Sequence, residues 1–167
     1  MRRAVRVASV LGFLSCTPAF AQEATLLEKF KDWSAYATTG NPKVCFVVAQ
    51  PKASLPKGVR RGPIYFYISR YPADQVAGEI SVKMGYPFAP GAKTTVTIGS
   101  NKFELFTKEE GAFVEKQEDE TKLVDAMKGG STLKIDGRSA RGTDTSDEYS
   151  LDGLAEALER IAKECAI

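Results

Sequence analysis

Short apolar segments separated by turn residues recur along most of the chain. Residues 44–50 are apolar almost throughout and rich in β-branched side chains, which is typical of a strand buried on both faces. Residues 26–31 are predicted to be a short lead-in, and residues 52–62 a loop rich in proline, lysine and glycine. Further strands are predicted at residues 33–38, 64–69, 79–84, 94–98, 102–106, 111–114, 131–135 and 143–149.

The strand predicted at residues 64–69 has two different faces. Its even-numbered residues are Ile64, Phe66 and Ile68, whereas Tyr65 and Tyr67 occupy the odd positions. Because successive side chains of a strand point to opposite faces, the two tyrosines are expected to share the face away from the aliphatic residues.

The end of the chain has the clearest helical pattern. Apolar residues recur there at spacings of three and four, and Ser150 is a suitable N-cap. The stripe comprises Leu151, Leu154, Ala155, Leu158, Ile161, Ala162 and Cys165. A second helix is predicted at residues 119–128, where Gly129 and Gly130 stop it.

This order of elements predicts an α+β fold that is mainly antiparallel β. Roughly eight strands would form a sandwich or a curved sheet, with one inserted helix and one C-terminal amphipathic helix. No repeat or linker divides the chain, so residues 22–167 are expected to form a single domain.

The first 21 residues have the three parts of a secretory signal. Arg2, Arg3 and Arg6 give it a positive start, and residues 4–14, interrupted only by Arg6, Ser9 and Gly12, form a short apolar stretch. Ala19 and Ala21 supply the small residues that a signal peptidase reads, so cleavage is expected before Gln22. The apolar stretch is too short to span a membrane. Lipidation of Cys16 is the alternative, although Phe13 fits a lipoprotein signal poorly.

Cleavage would leave two cysteines, Cys45 and Cys165. In an oxidising compartment such a pair usually forms a disulfide, and the location expected is the periplasm or the cell surface. Since Cys165 continues the apolar stripe of the last helix and Cys45 lies in a buried strand, the two thiols are expected to meet.

Charge and composition exclude several classes of function. Without residues 1–21 the chain has 20 basic and 21 acidic residues, since the three arginines removed leave 20 of the 23 basic side chains and all 21 acids. This balance gives no reason to expect nucleic-acid binding, which needs a concentrated basic face. The chain contains no histidine, which removes the commonest catalytic base and most catalytic zinc sites. No catalytic residue, cofactor or metal site is predicted.

Acidic residues provide the alternative to a non-enzymatic protein. Asp144, Asp147 and Glu148 lie close together, and paired carboxylates hydrolyse glycosides in enzymes that need no histidine. A hydrolase of the envelope, carbohydrate-active or otherwise, therefore remains one hypothesis, and a purely structural envelope component remains another.

Basic and aromatic residues provide the candidate binding surface. Arg60 and Arg61 lie in one loop near Tyr65 and Tyr67, and Arg141 precedes the last predicted strand. Basic side chains beside aromatic ones suit a protein partner or an anionic envelope component. The alternative is that the arginines are solvated and the tyrosines pack in the core.

Several segments in order resemble the invasion-associated locus B family of alphaproteobacterial envelope proteins. They are residues 32–36 (DWSAY), 44–51 (VCFVVAQP), 59–62 (VRRG), 79–82 (EISV), 85–88 (GYPF) and 141–154 (RGTDTSDEYSLDGL). The resemblance implies a periplasmic or surface-associated protein with a link to host-cell entry in some members, and it transfers no catalytic residues. We therefore expect a non-enzymatic binding module, with an oligomeric state that the sequence does not define.

Overall fold

Eleven strands account for most of the computed structural model, which describes residues 23–167. The predicted leader, with its cleavage site and Cys16, lies outside the described residues. The strands are β1 (Ala24–Phe30), β2 (Trp33–Thr38), β3 (Cys45–Ala49), β4 (Ala53–Leu55), β5 (Tyr65–Tyr71), β6 (Val76–Lys83), β7 (Lys93–Ile98), β8 (Asn101–Lys108), β9 (Gly111–Phe113), β10 (Thr132–Arg138) and β11 (Asp144–Ser150). The helices are α1 (Gln117–Gly129) and α2 (Leu154–Glu164), with a 3₁₀ turn at Pro72–Asp74.

All strands belong to one antiparallel sheet in the order β1-β2-β3-β5-β6-β9-β8-β7-β10-β11-β4. The α+β, mainly antiparallel fold class is therefore confirmed, with one inserted helix and one C-terminal helix. The sheet has two more strands than the nine segments predicted as strands from the sequence. The predicted lead-in lies in β1, and part of the predicted 52–62 loop forms β4. Neither segment has an alternating apolar pattern, but each pairs with a neighbouring strand, β1 with β2 and β4 with β11.

The sheet curves until its two halves face each other. Phe66 of β5 packs edge-on against Trp33 of β2 at 6.0 Å and against Tyr149 of β11 at 5.8 Å, measured between ring centroids. Five strands separate β5 from β11 in the sheet order, so only a curved sheet brings these rings together. All three side chains are fully or almost fully buried, and they mark the centre of the core.

Strand β3 has one buried face rather than two. Cys45, Val47 and Ala49 are buried, whereas Phe46 and Val48 are only partly covered. The prediction of burial on both faces was wrong because β-branched and aromatic residues also occupy the outer face of this sheet.

Helix α2 packs against β1, β2 and β3 and is joined to the sheet covalently. A disulfide connects Cys165, directly after the helix, to Cys45 of β3, with their Cα atoms 6.0 Å apart. The buried positions Leu154, Ala157 and Ile161 confirm an apolar stripe on this helix, although Ala157 takes part and Ala155 is exposed.

The start of α2 differs from the prediction. Ser150 ends β11, and the N-cap is Gly153, whose φ is 88°. A Cβ atom on Gly153 would lie 2.0 Å from the carbonyl oxygen of Phe30. Close packing of the β1 end against the β11–α2 connection therefore requires glycine here, and the helix starts only after that contact.

Candidate functional site

Four aromatic side chains form a continuous surface on the outside of the sheet. Tyr36 stacks on Phe46 at 5.3 Å with nearly parallel rings, Phe46 contacts Tyr67 edge-on at 6.0 Å, and Tyr65 lies 5.8 Å from Tyr67. All four are partly exposed. We call Tyr36, Phe46, Tyr65 and Tyr67 the aromatic face.

The alternation of β2, β3 and β5 explains why these rings share one side. Each aromatic residue has a buried neighbour next to it on its strand, for example Phe66 between Tyr65 and Tyr67. Tyr36 pairs directly with Phe46, and such cross-strand partners lie on the same face of a sheet. The prediction that Tyr65 and Tyr67 share the face opposite Phe66 and Ile68 is confirmed.

Partial desolvation affects the chemistry of this face. Burial of the Tyr67 hydroxyl, followed by the nearby Tyr65, raises the pKa of Tyr67 above its usual value. The hydroxyl is therefore neutral at physiological pH, available to donate or accept a hydrogen bond at the edge of an apolar surface.

A polar cleft of about 460 Å³ adjoins the aromatic face. Tyr36 and Tyr65 line it together with polar and basic side chains from the β1–β2 hairpin and from the segment after β3. The complete lining is Lys29, Lys31, Asp32, Ser34, Tyr36, Val48, Ala49, Gln50, Pro51, Lys52 and Tyr65. We call this the lysine cleft.

The hairpin turn at the lysine cleft is held by contacts with the end of β11 and with the segment after β3. The indole nitrogen of Trp33 donates to the carbonyl oxygen of Ser150 at 3.0 Å, and Lys52 Nζ donates to Asp32 Oδ1 at 2.7 Å. The bond from Lys52, supported by the Ser150 hydroxyl, lowers the pKa of Asp32, so that carboxyl is ionised at neutral pH.

Arg61 points into the protein rather than towards a partner. Its two terminal nitrogens donate to the two carboxylate oxygens of Asp147, at 2.8 and 2.7 Å, and Nε and Nη2 also donate to the carbonyl oxygen of Met84. The Arg61 side chain is 7% exposed and that of Asp147 is fully buried. We therefore leave Arg61 out of the candidate partner surface.

The Tyr86 ring packs against the ion pair. The guanidinium carbon of Arg61 lies 4.9 Å from the centre of the Tyr86 ring, whose hydroxyl is 2.6 Å from that of Thr145. Gly137 leaves room for this ring, since a Cβ there would come within 2.7 Å of the Tyr86 hydroxyl. These contacts satisfy a buried charge, which is the expected condition for a structural ion pair.

The other two arginines contact each other at the surface. Arg60 and Arg141 are exposed, and a terminal nitrogen of Arg141 donates to the backbone carbonyl of Arg60 at 3.0 Å. The structure thus brings Arg141 to the backbone of Arg60, whereas the ring contacts of Tyr65 and Tyr67 are with each other and with Phe46. Their role in binding a partner stays a prediction.

The three acidic residues of the hydrolase hypothesis do not share a cleft. Asp147 is buried against Arg61, while Asp144 pairs with Arg138 at an exposed position and Glu148 is exposed.

Within residues 23–167, no three metal-ligating side chains are gathered for a metal ion. No helix in the same range is long and apolar enough to cross a membrane.

Comparison with known proteins identifies the family. Residues 33–162 match the invasion associated locus B (IalB) protein family. The chain belongs to this family. The match includes β2 to β11 and nearly all of α2, so it contains both the aromatic face and the buried Arg61–Asp147 pair, and it confirms the resemblance found in the sequence. No curated protein matches the chain significantly.

A solved structure supports the same conclusion at the level of the fold. The crystal structure of invasion associated protein b from Bartonella henselae superposes with a TM-score of 0.58 and 18% sequence identity. The superposition covers 84% of this chain and 99% of the other. At this identity the likeness shows a shared fold.

Sequence reasoning found half of the aromatic face and missed the other half. Tyr36 and Phe46 were placed on predicted strands, but nothing in the sequence indicated that these strands neighbour the one with the tyrosines. The available signal was their position between small or aliphatic residues, such as Ala35 and Ala37 on either side of Tyr36.

Proposed function

We propose that this IalB family member is an exported, non-catalytic protein of the cell envelope that binds an envelope component through its aromatic face. The observation that carries the proposal is the row of four partly exposed aromatic rings in mutual contact on the outside of the sheet. Grouped, rigid aromatic side chains supply much of the binding energy in protein recognition surfaces.

Export is supported by two independent features. Residues 1–21 have the pattern of a secretory signal, and Cys45 and Cys165 form a disulfide in the fold, which persists in an oxidising compartment. Family membership is consistent with an envelope location. The mature chain is expected to start at Gln22, which an intact mass of the protein from its native envelope would establish.

A binding role is favoured over catalysis by how the acidic residues are used. Both oxygens of the Asp147 carboxylate accept hydrogen bonds from Arg61, so this group has little capacity to act as an acid or a base. Asp144, the second acid of that hypothesis, is paired with Arg138 by two contacts. The aromatic face, by contrast, has no partner within the described part of the chain.

The test compares matched variants in co-sedimentation of the purified mature chain with envelope fragments of the native host. Phe46→Ser/Tyr67→Ser removes the centre of the aromatic face and should reduce the bound fraction about tenfold, as expected for central aromatic contacts. Phe106→Ser is the control, because Phe106 is 43% exposed on a strand beyond β6 and β9. Near-ultraviolet circular dichroism verifies that each variant is folded.

Unchanged sedimentation of Phe46→Ser/Tyr67→Ser would contradict the proposal. An equal loss of envelope binding in Phe106→Ser would also contradict it, since any exposed aromatic ring of the sheet would then contribute equally to binding.

A further inference from the structure

The lysine cleft concentrates positive charge on a protein that is otherwise close to neutral. Lys29, Lys31 and Lys52 line it, and Asp32 is the one acid among its lining residues. The described chain has nearly equal numbers of acidic and basic residues, so this local excess is a property of the cleft and attracts anions to it.

Much of this charge is available to a ligand. Within residues 23–167, Lys29 has no carboxylate within ion-pairing distance. Lys31 has only Asp152 at 3.8 Å, and the two side chains are 66% and 65% exposed, so their attraction is largely screened by water. Lys52 is held by Asp32 at 2.7 Å, which neutralises one of the three positive charges.

The remaining lining combines flat rings with hydrogen-bonding groups. Tyr36 and Tyr65 belong both to the aromatic face and to the cleft, and Ser34 and Gln50 add a hydroxyl and an amide. Sugar rings present C–H faces that pack on aromatic rings, together with hydroxyl edges that need polar partners. The cleft volume of about 460 Å³ is within the range of small-ligand sites.

We infer that the lysine cleft binds an anionic polysaccharide, with Lys29 and Lys31 contacting its carboxylate or phosphate groups and Tyr36 and Tyr65 packing against its sugar rings. This inference rests on the proposed function and names the chemistry of the envelope component. The aromatic face extends the site beyond the cleft along Phe46 and Tyr67, which suits a polymer longer than the cleft itself.

A polysaccharide fits the cleft better than an acidic peptide does. Peptides gain affinity by adding a strand to a free sheet edge or by filling apolar pockets. The lysine cleft is lined largely by polar side chains. Its strand residues come mainly from β2 and β3, each of which is already paired on both sides, and the edge strand β1 contributes only Lys29.

The backbone conformation at Lys31 allows one positive charge to be removed without strain. Lys31 has a φ of 50° at the β1–β2 turn, a conformation that glycine adopts without strain. Lys31→Gly is therefore expected to fold at least as readily as the natural chain. Lys29→Gln removes the second charge at an exposed strand position and keeps a long side chain.

The experiment measures binding of purified mature protein to a labelled carboxylated oligosaccharide, oligogalacturonate, by fluorescence anisotropy. Its methyl ester serves as the uncharged control, and polyglutamate of similar charge serves as the peptide control. We expect the acid form to bind, the ester to bind at least about tenfold more weakly, and Lys29→Gln/Lys31→Gly to weaken binding of the acid form about tenfold. Binding should also weaken as salt is added.

Three results would overturn the inference. They are failure of oligogalacturonate to bind, equal binding by the double lysine variant, and equal or tighter binding of polyglutamate. If one of these occurs while Phe46→Ser/Tyr67→Ser still loses envelope sedimentation, the proposed function stands and only the ligand class is wrong. If both variants behave like the natural chain, the proposed function fails as well.

Discussion

Arg61 and Asp147 form a two-point ion pair in the interior, although 86 residues separate them in sequence. Breaking such a pair from one side leaves a buried charge without its partner. Asp147→Asn and Arg61→Met are each expected to lower the free energy of unfolding by about 3–5 kcal/mol, measured by urea denaturation. The variant Arg61→Met/Asp147→Leu should lower the free energy of unfolding by less than the two single variants do in sum.

An exposed pair provides the comparison. Arg138 and Asp144 lie at positions that are 59% and 76% exposed, so Asp144→Asn should change the free energy of unfolding by less than about 1 kcal/mol. If Asp147→Asn were as mild as Asp144→Asn, the buried pair would not have the structural role assigned to it.

The contact between Gly153 and Phe30 predicts a large effect from a single methyl group. Gly153→Ala must accommodate a Cβ 2.0 Å from the Phe30 carbonyl oxygen as well as a φ of 88°. Gly58→Ala meets a φ of 79° but no atom within 4 Å. We expect about 1–2 kcal/mol of destabilisation for Gly58→Ala and clearly more for Gly153→Ala, as judged from thermal unfolding. Similar melting temperatures for the two variants would rule out the close contact.

The disulfide predicts that the stability of the fold depends strongly on reducing agent. Cys45 and Cys165 are 120 residues apart, and closing so long a loop restricts the unfolded chain considerably. Reduction, or the variant Cys45→Ala/Cys165→Ala, is expected to lower the free energy of unfolding by about 4–5 kcal/mol on the chain-entropy estimate. Denaturation midpoints that do not respond to dithiothreitol would show that the bridge contributes little.

Glu120 of α1 predicts a specific pH dependence. Burial of its carboxyl raises the pKa of Glu120 above the usual 4.5, against the opposing hydrogen bond from the Ile80 backbone. The folded state therefore retains the proton to higher pH than the unfolded state, so this group destabilises the fold as pH rises above 4.5 through the raised pKa. Glu120→Gln should be more stable than the natural chain at pH 7.

The control for Glu120 is the same comparison in acid. Below the ordinary glutamate pKa both states carry the proton, and the advantage of Glu120→Gln should disappear in denaturation curves at pH 3. An advantage that is equal at both pH values would indicate better packing of glutamine rather than relief of a buried charge.

The sequence by itself determined which side of its own element most residues face. A strand alternates with a period of two, so Tyr65 and Tyr67 had to share the face opposite Phe66. A helix repeats every 3.6 residues, so Cys165 had to follow the apolar stripe of α2 towards the sheet, where Cys45 lies. The direction in which these side chains point depends only on local geometry, which explains why it could be predicted. The pairing of Cys45 with Cys165 was predicted because they are the two cysteines that cleavage of the leader would leave.

The tertiary structure alone decided which elements are neighbours. The sequence order does not specify that β2 and β3 lie beside β5, and so it could not place Tyr36 and Phe46 in the same surface as Tyr67. The sequence also could not predict that the Arg61 side chain is buried while that of the adjacent Arg60 is exposed. The burial of Arg61 depends on its ion pair with Asp147, and the curvature that brings the two halves of the sheet together makes that pair possible. Backbone hydrogen bonds are alike for any pair of strands, so side-chain packing between segments that are distant in sequence decides which strands are neighbours. No short stretch of sequence contains that information.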